Sequence, residues 1–399
     1  MSRLAFVWPM PSSAPTAAAI RLLGFERAAG RLGVQATSIV PRRGPIDSRW
    51  EGVPVIPLPL YGSSAAGGKG FLPDLLRMVP STVELARTLK GQQVSCVMAS
   101  TPAPFIPMQA LLAAKLLGIS FVLDVRDSWE MESVTHEGRL RNWVKERLER
   151  LCSRSADRVL CVTPALMNRL VSRYSLPSGR VEVVPNGADL SLFHPGPVPR
   201  DLDFVFLGSL SKYRNVEQVL ESLARVRLRD RPITAHFAGS GDVPGTAEVR
   251  AMALAKGLPE TVRFVPSVPH ENTPRILRRA RLGIVSLSFE DVFRAAIGAK
   301  TYEYIACGVP LACLGPPGNS ELREFVESQR LGFYVSSPDE FAAQATTLLT
   351  DQQEWAEVST NCIVASRRFD RRVLSEKALR NLVVPLMNGR AGNGGPSRR

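Results

Sequence analysis

The sequence predicts an α/β protein made of two Rossmann-like domains. Three observations predict it. Short apolar runs alternate with stretches at helical spacing along most of the chain. Several of these runs end in a glycine- or serine-bearing loop just before a helix opens, the strand–loop–helix unit of nucleotide-type domains. The 399 residues, 45% of them apolar, are long for one core and comfortable for two.

In chain order, residues 4–8 form a first strand. Pro9, Pro11 and Pro15 interrupt the residues behind it, which argues for a buried strand and a loop and against a signal peptide. A helix spans 17–31 and a second strand 35–40. Residues 52–60 give a short strand whose prolines make it marginal or place it at a sheet edge. Residues 61–70, rich in Gly, Ser and Ala, read as a mobile loop. Helix 72–89, strand 94–99, helix 106–117 and strand 121–125 come next. The last runs into Arg126-Asp127-Ser128-Trp129. Ligands of open α/β sheets gather beyond the carboxyl ends of the strands, which makes Asp127 a candidate site residue. An Asx turn or a helix cap is its structural alternative.

Residues 139–156 form an amphipathic helix. Leu140, Trp143, Val144, Leu148 and Leu151 supply its apolar stripe, and its basic residues include Arg139, Arg141, Lys145, Arg147, Arg150 and Arg154. Such a helix packs as a core helix with a charged outside, or lays its basic face on lipid headgroups. A strand at 158–163 and the segment 181–189, where Gly187 allows a tight turn, close the first domain. Gly and Pro at 195–199 read as linker.

In the second domain, a strand at 204–208 ends in Gly208, with Ser209, Lys212, Arg214 and a helix at 216–227 behind it. A strand ending in glycine before a helix N-terminus is a phosphate site by backbone geometry. Lys212 adds a point charge and Arg214 a forked one, suited to a diphosphate. A strand at 233–238 enters Gly239-Ser240-Gly241, a second candidate phosphate turn that is weak alone. Strand 262–265, helix 273–279, strand 282–287, a loop at 316–321 and helices at 338–350 and 351–366 continue the alternation. A last helix runs over 369–387, and residues 389–399 read as a disordered tail. The domain limits are 1–195 with the helix 369–388, then 196–368.

The most informative stretch is Lys300-Thr-Tyr-Glu-Tyr-Ile-Ala-Cys-Gly-Val-Pro310. Tyr302, Ile305 and Ala306 face a core at helical spacing, Gly308 and Pro310 stop the helix, and residues 311–314 resume as a buried strand. Glu303 falls within the apolar face, where a carboxylate is costly unless something pairs with it. A pair of sugar hydroxyls is one such partner, and a solvated helix glutamate is the ordinary alternative.

This stretch resembles the nucleotide-sugar motif of glycosyltransferase family 4, retaining enzymes of the GT-B fold. It is similar to the branch reading Ser-Lys-x-x-Glu-Tyr-x-Ala-x-Gly-x-Pro. The resemblance extends to the segment Val184-Pro-Asn-Gly187, to Arg126-Asp127-x-Trp129, and to Gly239-x-Gly241. It implies two Rossmann-like domains facing across a cleft, with the last helix crossing back to the first. It implies that Glu303 and Lys300 bind the donor, with Glu303 on the ribose hydroxyls. It implies that Gly208, Ser209, Gly239 and Gly241 line the donor phosphates, and that Asp127 faces acceptor and donor. Three places depart from the pattern. Ala295 stands where the family often has a second Glu, whose role then falls to Glu290 or Asp291 or is vacant. Ser209 stands where an Arg is usual, so Lys212 and Arg214 carry the charge. Ser12-Ser13 replaces a common Gly-Gly pair in the first loop.

The formal net charge is +13, with 24 Lys and Arg against 15 Asp and Glu in residues 1–200 and 26 against 22 in 201–399. The asymmetry suggests an anionic partner for the first domain. A membrane surface or a lipid diphosphate fits, and plain solubility charge is the alternative. Nucleic acid is disfavoured, since no stacking aromatics or recognition helix accompany the charge. Six scattered cysteines without a Cys-x-x-Cys pair indicate neither zinc nor a disulfide framework, as in a reducing cytoplasm. Asp201-Leu-Asp203 has the spelling of a metal-binding Asp-x-Asp but sits ahead of its strand, away from the carboxyl end. The expectation is therefore a metal-independent, retaining sugar transferase without a cofactor. It takes a nucleotide-diphosphate sugar as co-substrate and a glycan or polyprenyl-diphosphate-linked acceptor, and works in the cytoplasm at the inner face of the plasma membrane. A GT-B sugar-nucleotide epimerase and a non-catalytic GT-B binding subunit are the alternatives.

Overall fold

Two mostly parallel sheets organise the chain, each in its own unit. Residues 1–185 and 372–399 make unit 1, and residues 186–371 make unit 2. The structure is a computed structural model. It describes residues 3–10, 16–42, 49–50, 52–60, 71–101, 105–127, 139–208, 210, 215–239, 243–265, 268–318 and 320–389.

Unit 1 opens with β1 (Arg3–Val7), α1 (Ala17–Arg31), β2 (Gln35–Pro41), β3 (Arg49–Trp50), β4 (Val53–Leu58), α2 (Phe71–Gly91), β5 (Val94–Ser100) and α3 (Phe105–Leu117). β6 (Ser120–Val125), α4 (Arg139–Ser155), β7 (Arg158–Cys161), α5 (Pro164–Tyr174) and β8 (Val181–Val183) complete it up to the crossing into unit 2. The sheet order is β3-β4-β2-β1-β5-β6-β7-β8. Every pairing is parallel except β3 with β4, so the proline-rich strand lies one place in from the edge, covered by a two-residue antiparallel strand. α1 starts where Thr16 Oγ1 accepts from Ala19 N, 3.2 Å away, the side-chain cap its sequence calls for.

Alternation along β1 divides the core. Ala5 and Val7 face a cluster with Leu85, Ile106, Leu111, Cys152 and Leu170, from α2, α3, α4 and α5. Leu4, Phe6 and Trp8 face the other side, against Leu22 and Phe25 of α1. α4 does not present all its cations to water: Lys145 is buried, and so is Glu149, which accepts from Tyr174 Oη at 2.7 Å. The basic face expected over 139–156 is thus narrower than its sequence suggests. α5 went unread, although Thr163 caps it by accepting from Leu166 N and Pro164 opens it.

Unit 2 holds β9 (Leu202–Leu207), α6 (Val216–Arg225), β10 (Ala235–Ala238), α7 (Val243–Ala255), β11 (Val262–Val265), α8 (Thr273–Leu277) and β12 (Ala280–Ser286). It continues with α9 (Ala299–Ala306), β13 (Leu311–Leu314), α10 (Glu321–Ser328), β14 (Gly332–Val335), α11 (Pro338–Thr350) and α12 (Gln352–Ser366). The order β11-β10-β9-β12-β13-β14 is all parallel. Strand order reverses between β9 and β12, and ligands of open α/β sheets bind outside the carboxyl ends at such a switch point. Asp203 lies inside β9 rather than ahead of it, although still at its amino end.

The last helix is not one continuous α-helix. α13 (Arg371–Ala378) passes through a π-helical stretch, Leu379–Val383, into α14 (Val384–Gly389). Ala378, Leu379, Val383 and Met387 complete the core of unit 1 against Leu4, Phe6 and Trp8.

Candidate functional site

α9 carries the site of unit 2. It ends where Gly308, at φ +67°, takes the left-handed conformation that stops a helix. Tyr302 packs with Phe325 and Phe369 at ring-centroid distances of 5.7 and 5.1 Å. The Tyr304 ring lies on Gly283 of β12, where a Cβ would come within 2.7 Å of it. Its hydroxyl accepts from the backbone N–H of Leu207 at 2.9 Å. Tyr304 therefore pins α9 to the last residue of β9, just before Gly208.

Glu303 sits beside this pin and is fully buried. Its carboxylate is already partnered within the protein, and it is not the solvated helix glutamate that was the ordinary alternative. His270 Nε2 lies 2.9 Å from Oε1, Lys300 Nζ 3.0 Å from Oε2, and the Arg371 guanidinium 3.9 Å from Oε1. Burial alone would raise the carboxyl, but Lys300, the hydrogen bond from His270 and the charge of Arg371 outweigh it and hold it at about 2. Glu303 is ionised at neutral pH. His270 is held from behind by Phe193, whose ring centroid is 5.0 Å away. Arg371 is fixed by donating to the carbonyls of Asn186 and Gly187 at 3.1 and 2.6 Å. His270 and Arg371 escaped the sequence reading. They lie 33 residues before and 68 after Glu303, and no local pattern marks them.

Gly208 and Gly239 meet at the carboxyl ends of adjacent strands. Gly208 has φ +140°, a conformation that favours glycine. A Cβ on Gly239 would lie 1.8 Å from the Gly208 carbonyl oxygen, so only glycine fits there. Each glycine has a reason independent of any ligand, Gly208 its backbone conformation and Gly239 its close packing. They leave backbone, not side chain, at the switch-point end of β9. Ser209, Lys212, Arg214 and Gly241 lie outside the described residues, as do Ser12 and Ser13, loop 61–70 and residues 390–399.

At Ala295, where a second Glu is usual in the resembling family, the chain makes a 3-10 turn, Asp291–Ala295. Glu290, just ahead of it, is exposed; the Asp291 side chain lies outside the described residues. Asp201 and Asp203 are each engaged by a forked arginine: Arg279 holds Asp201 at 2.8 and 2.5 Å, and Arg231 holds Asp203 at 2.6 Å twice. The six cysteines are buried and form no disulfide. Burial pushes Cys161 and Cys307 up to about 12.

In unit 1, Asp127 lies two residues beyond β6, half-buried, its carbonyl accepting from Thr101 Oγ1 at 3.1 Å. Arg126 turns back onto the end of β5, donating to Ser100 Oγ and the Thr101 carbonyl. A buried pair stands close by: Arg21 NH2 reaches Asp124 Oδ1 at 2.7 Å. Ser100 Oγ donates to Asp124 Oδ2 at 3.0 Å, and Arg21 also donates to the Val184 and Pro185 carbonyls. The sequence reading missed this pair as well.

Curated relatives match in part. A D-inositol 3-phosphate glycosyltransferase of Thermobispora bispora is 28% identical over 233 residues, 54% of this chain and 53% of that protein. The enzyme of the same name from Segniliparus rotundus is 24% identical over 268 residues, 62% and 57%. The chain thus spans about half the length of the curated relatives it matches. Among solved structures, sucrose-phosphate synthase from Thermosynechococcus elongatus superposes with a TM-score of 0.73 at 15% identity, covering 95% of this chain and 98% of that one. Anabaena HepE in complex with UDP and glucose gives 0.73 at 17%, covering 96% and 99%. These likenesses are of fold, and the fold is the GT-B type expected from the sequence. A family model described as a glycosyl transferase 4-like domain matches residues 16–187, and one described as glycosyl transferases group 1 matches residues 193–368. Between them they leave little of the chain unmatched, and it belongs to the GT-B glycosyltransferases of this 4-like and group 1 type.

Proposed function

We propose that the protein moves a sugar from a nucleotide-diphosphate donor to a glycan or lipid-linked acceptor. It does so with retention of anomeric configuration and without metal, in cell-surface polysaccharide or glycoconjugate synthesis at the inner face of the plasma membrane. The observation that carries the reading is Glu303. A buried, ionised carboxylate stands on α9, the next α-helix after the switch-point strand β12, and two of its partners, Lys300 and His270, keep part of their surface in water. A ribose diol donating to this carboxylate finds an acceptor whose charge is fixed in advance. The glycine crossing at Gly208 and Gly239 admits a diphosphate to backbone N–H groups. Lys212 and Arg214 stabilise the departing diphosphate as the bond from the anomeric carbon breaks. Asp127 takes the acceptor side.

The related fold of HepE, solved with UDP and UDP-glucose, supports a nucleoside-diphosphate donor. The curated relatives' name favours a second reading of the acceptor, a phosphorylated cyclitol in place of a lipid-linked glycan. A thermal-shift screen against UDP-, GDP- and dTDP-sugars identifies the donor, because a native-state ligand raises stability. Transfer of labelled sugar to an organic-extractable product, read by NMR for its anomeric configuration, tests the rest. No shift with any donor overturns the donor reading, and loss of transfer on adding EDTA overturns metal independence.

A further inference from the structure

The outer ridges of α2, α3 and α4 carry an unusual composition. Val79 and Val83 on α2, Leu112 and Leu116 on α3, and Trp143 and Leu151 on α4 are all exposed, Leu116 by 69%, Val79 by 66% and Trp143 by 54%. Of the large apolar side chains exposed among the described residues, only Val198, Leu254, Val364 and Val373 lie elsewhere. The three helices pack side by side on one face of the unit 1 sheet. They connect parallel strands, so they run in the same sense and their outward ridges form one surface.

The exposed charge described on this surface has one sign. The exposed charged side chains described on the three helices are Arg77, Arg87, Lys90, Lys115, Arg147 and Arg154, all basic. The described acids there are withdrawn: Glu84 and Glu146 are half-buried, the latter paired with Arg173 at 3.0 Å, and Glu149 is buried. Lys90, Lys115 and Arg154 also complement helix C-termini, but Arg77, Arg87 and Arg147 do not. The Arg147 guanidinium lies 5.3 Å from the centroid of the exposed Trp143 ring. Cations and apolar residues share each ridge: Val79, Val83 and Arg87 succeed one another at intervals of four on α2, Lys115 lies between Leu112 and Leu116 on α3, and Trp143, Arg147 and Leu151 alternate on α4.

We infer that this three-helix face of unit 1 lies on a bilayer containing anionic lipid. A polyanion such as nucleic acid would use the cations and gain nothing from two exposed apolar residues on every ridge. A protein interface gathers its apolar residues into a core inside a polar rim, whereas here they are interleaved with charge. A leaflet takes both at once, the apolar tips and the Trp143 ring entering the interface while the cations meet headgroup phosphates. No described helix is long and apolar enough to cross a membrane, and this attachment requires none. The inference rests on the lipid-linked reading of the acceptor only for the kind of partner, and it replaces the basic face read from residues 139–156, since Lys145 is buried.

The test is cosedimentation of the full chain with phosphatidylcholine vesicles, with and without roughly 30 mol % phosphatidylglycerol, at low salt. Two triple variants are compared: Val83→Ser with Leu116→Ser and Trp143→Ser, and Arg87→Glu with Lys115→Glu and Arg147→Glu. The wild type binds the anionic vesicles only. Charge reversal lowers the affinity by about a hundredfold or more, and the apolar triple by about tenfold. Brominated lipid quenches a fluorescence component that Trp143→Phe removes. The nucleotide-sugar thermal shift stays unchanged in both triples, which shows that they fold. Loss of binding on charge reversal alone, with the apolar triple binding as wild type, overturns the bilayer in favour of a polyanion surface. Absence of wild-type binding, or binding that neither triple changes, overturns the surface altogether. Vesicle binding with no donor shift in any variant counts against the donor site and leaves the surface standing.

Discussion

Each unit buries a carboxylate on the carboxyl side of a parallel sheet and meets it with arginine, but the two arrangements differ in what they leave to solvent. In unit 1 the Asp124 side chain is 0% exposed and Arg21 4%, and the guanidinium is shared among Asp124 and two backbone carbonyls. That pair is sealed. In unit 2, Glu303 is equally buried, yet Lys300 and His270 remain 34% and 22% exposed. Partners that touch water can exchange a water for a ligand while keeping their anion in place. The difference teaches that burial of a charge does not by itself mark a site; access to its partners does.

Breaking the sealed pair has the largest expected effect. Arg21→Ala strands Asp124 and removes donors from two carbonyls, and should lower stability by about 3–5 kcal/mol. Urea unfolding measures this, and donor binding of the remaining folded protein should be unchanged. A variant that unfolds like wild type but fails to bind donor would reverse the comparison.

Glu303→Gln keeps the shape and removes the charge. Donor affinity should fall by about 1–3 kcal/mol, with a larger loss in transfer rate if the donor is misaligned. Calorimetric titration with the nucleotide sugar reads the first and initial rates the second. Wild-type turnover in this variant would sink the assignment of Glu303.

The same variant sharpens the comparison through pH. The Glu303 carboxyl is depressed from 4.5 to about 2 in the folded protein, so it contributes stability above about pH 4.5 that is lost as the pH falls toward 2. The stability gap between wild type and Glu303→Gln should therefore close over that window and stay constant from pH 5 to 7. A gap independent of pH down to 2 would show that the ion network contributes nothing.

The smallest effect belongs to the pin. Tyr304→Phe leaves the buried Leu207 N–H without its acceptor, at a cost of about 1–2 kcal/mol. Because the pin sets α9 against β9, donor affinity should weaken slightly in parallel with the melting temperature. Unchanged affinity at reduced stability would make Tyr304 a core residue alone.

How much of the molecule is legible in the sequence depends on how local each feature is. α1 spans 17–31, as its alternation and its following turn predict, because cap and stripe lie within one segment. The stop at Gly308 and the strand at 311–314 were readable for the same reason. α5 was equally legible from Thr163-Pro164 and the spacing of Leu166, Leu170 and Tyr174, but its eleven residues were passed over. α7, α10 and β14 were passed over too. The burial of Glu303 could be read from its apolar neighbours on one helix. Its partners could not, since His270 and Arg371 reach it only through the packing of other segments. The glycines at 208 and 239 were singled out for phosphate; that Gly239 is needed because the Gly208 carbonyl lies against it depends on adjacent strands ending level, which no local spacing shows.

The division of the chain also has a consequence for its synthesis. Unit 2 is an insertion: residues 186–371 are contiguous, while unit 1 is split around them. The two ends of the insert are stitched together, Ala188 N–H donating to the Phe369 carbonyl at 2.9 Å and Arg371 N–H to the Ala188 carbonyl at 2.8 Å. On the ribosome, unit 2 therefore has all its own contacts while unit 1 still lacks Leu379, Val383 and Met387 from its core. Strand β1, made before unit 2, must wait for the helices made after it. Until then the apolar sheet face of Leu4, Phe6 and Trp8 is covered by α1 but not by Leu379, Val383 and Met387, which makes it a part of the nascent chain in need of a chaperone.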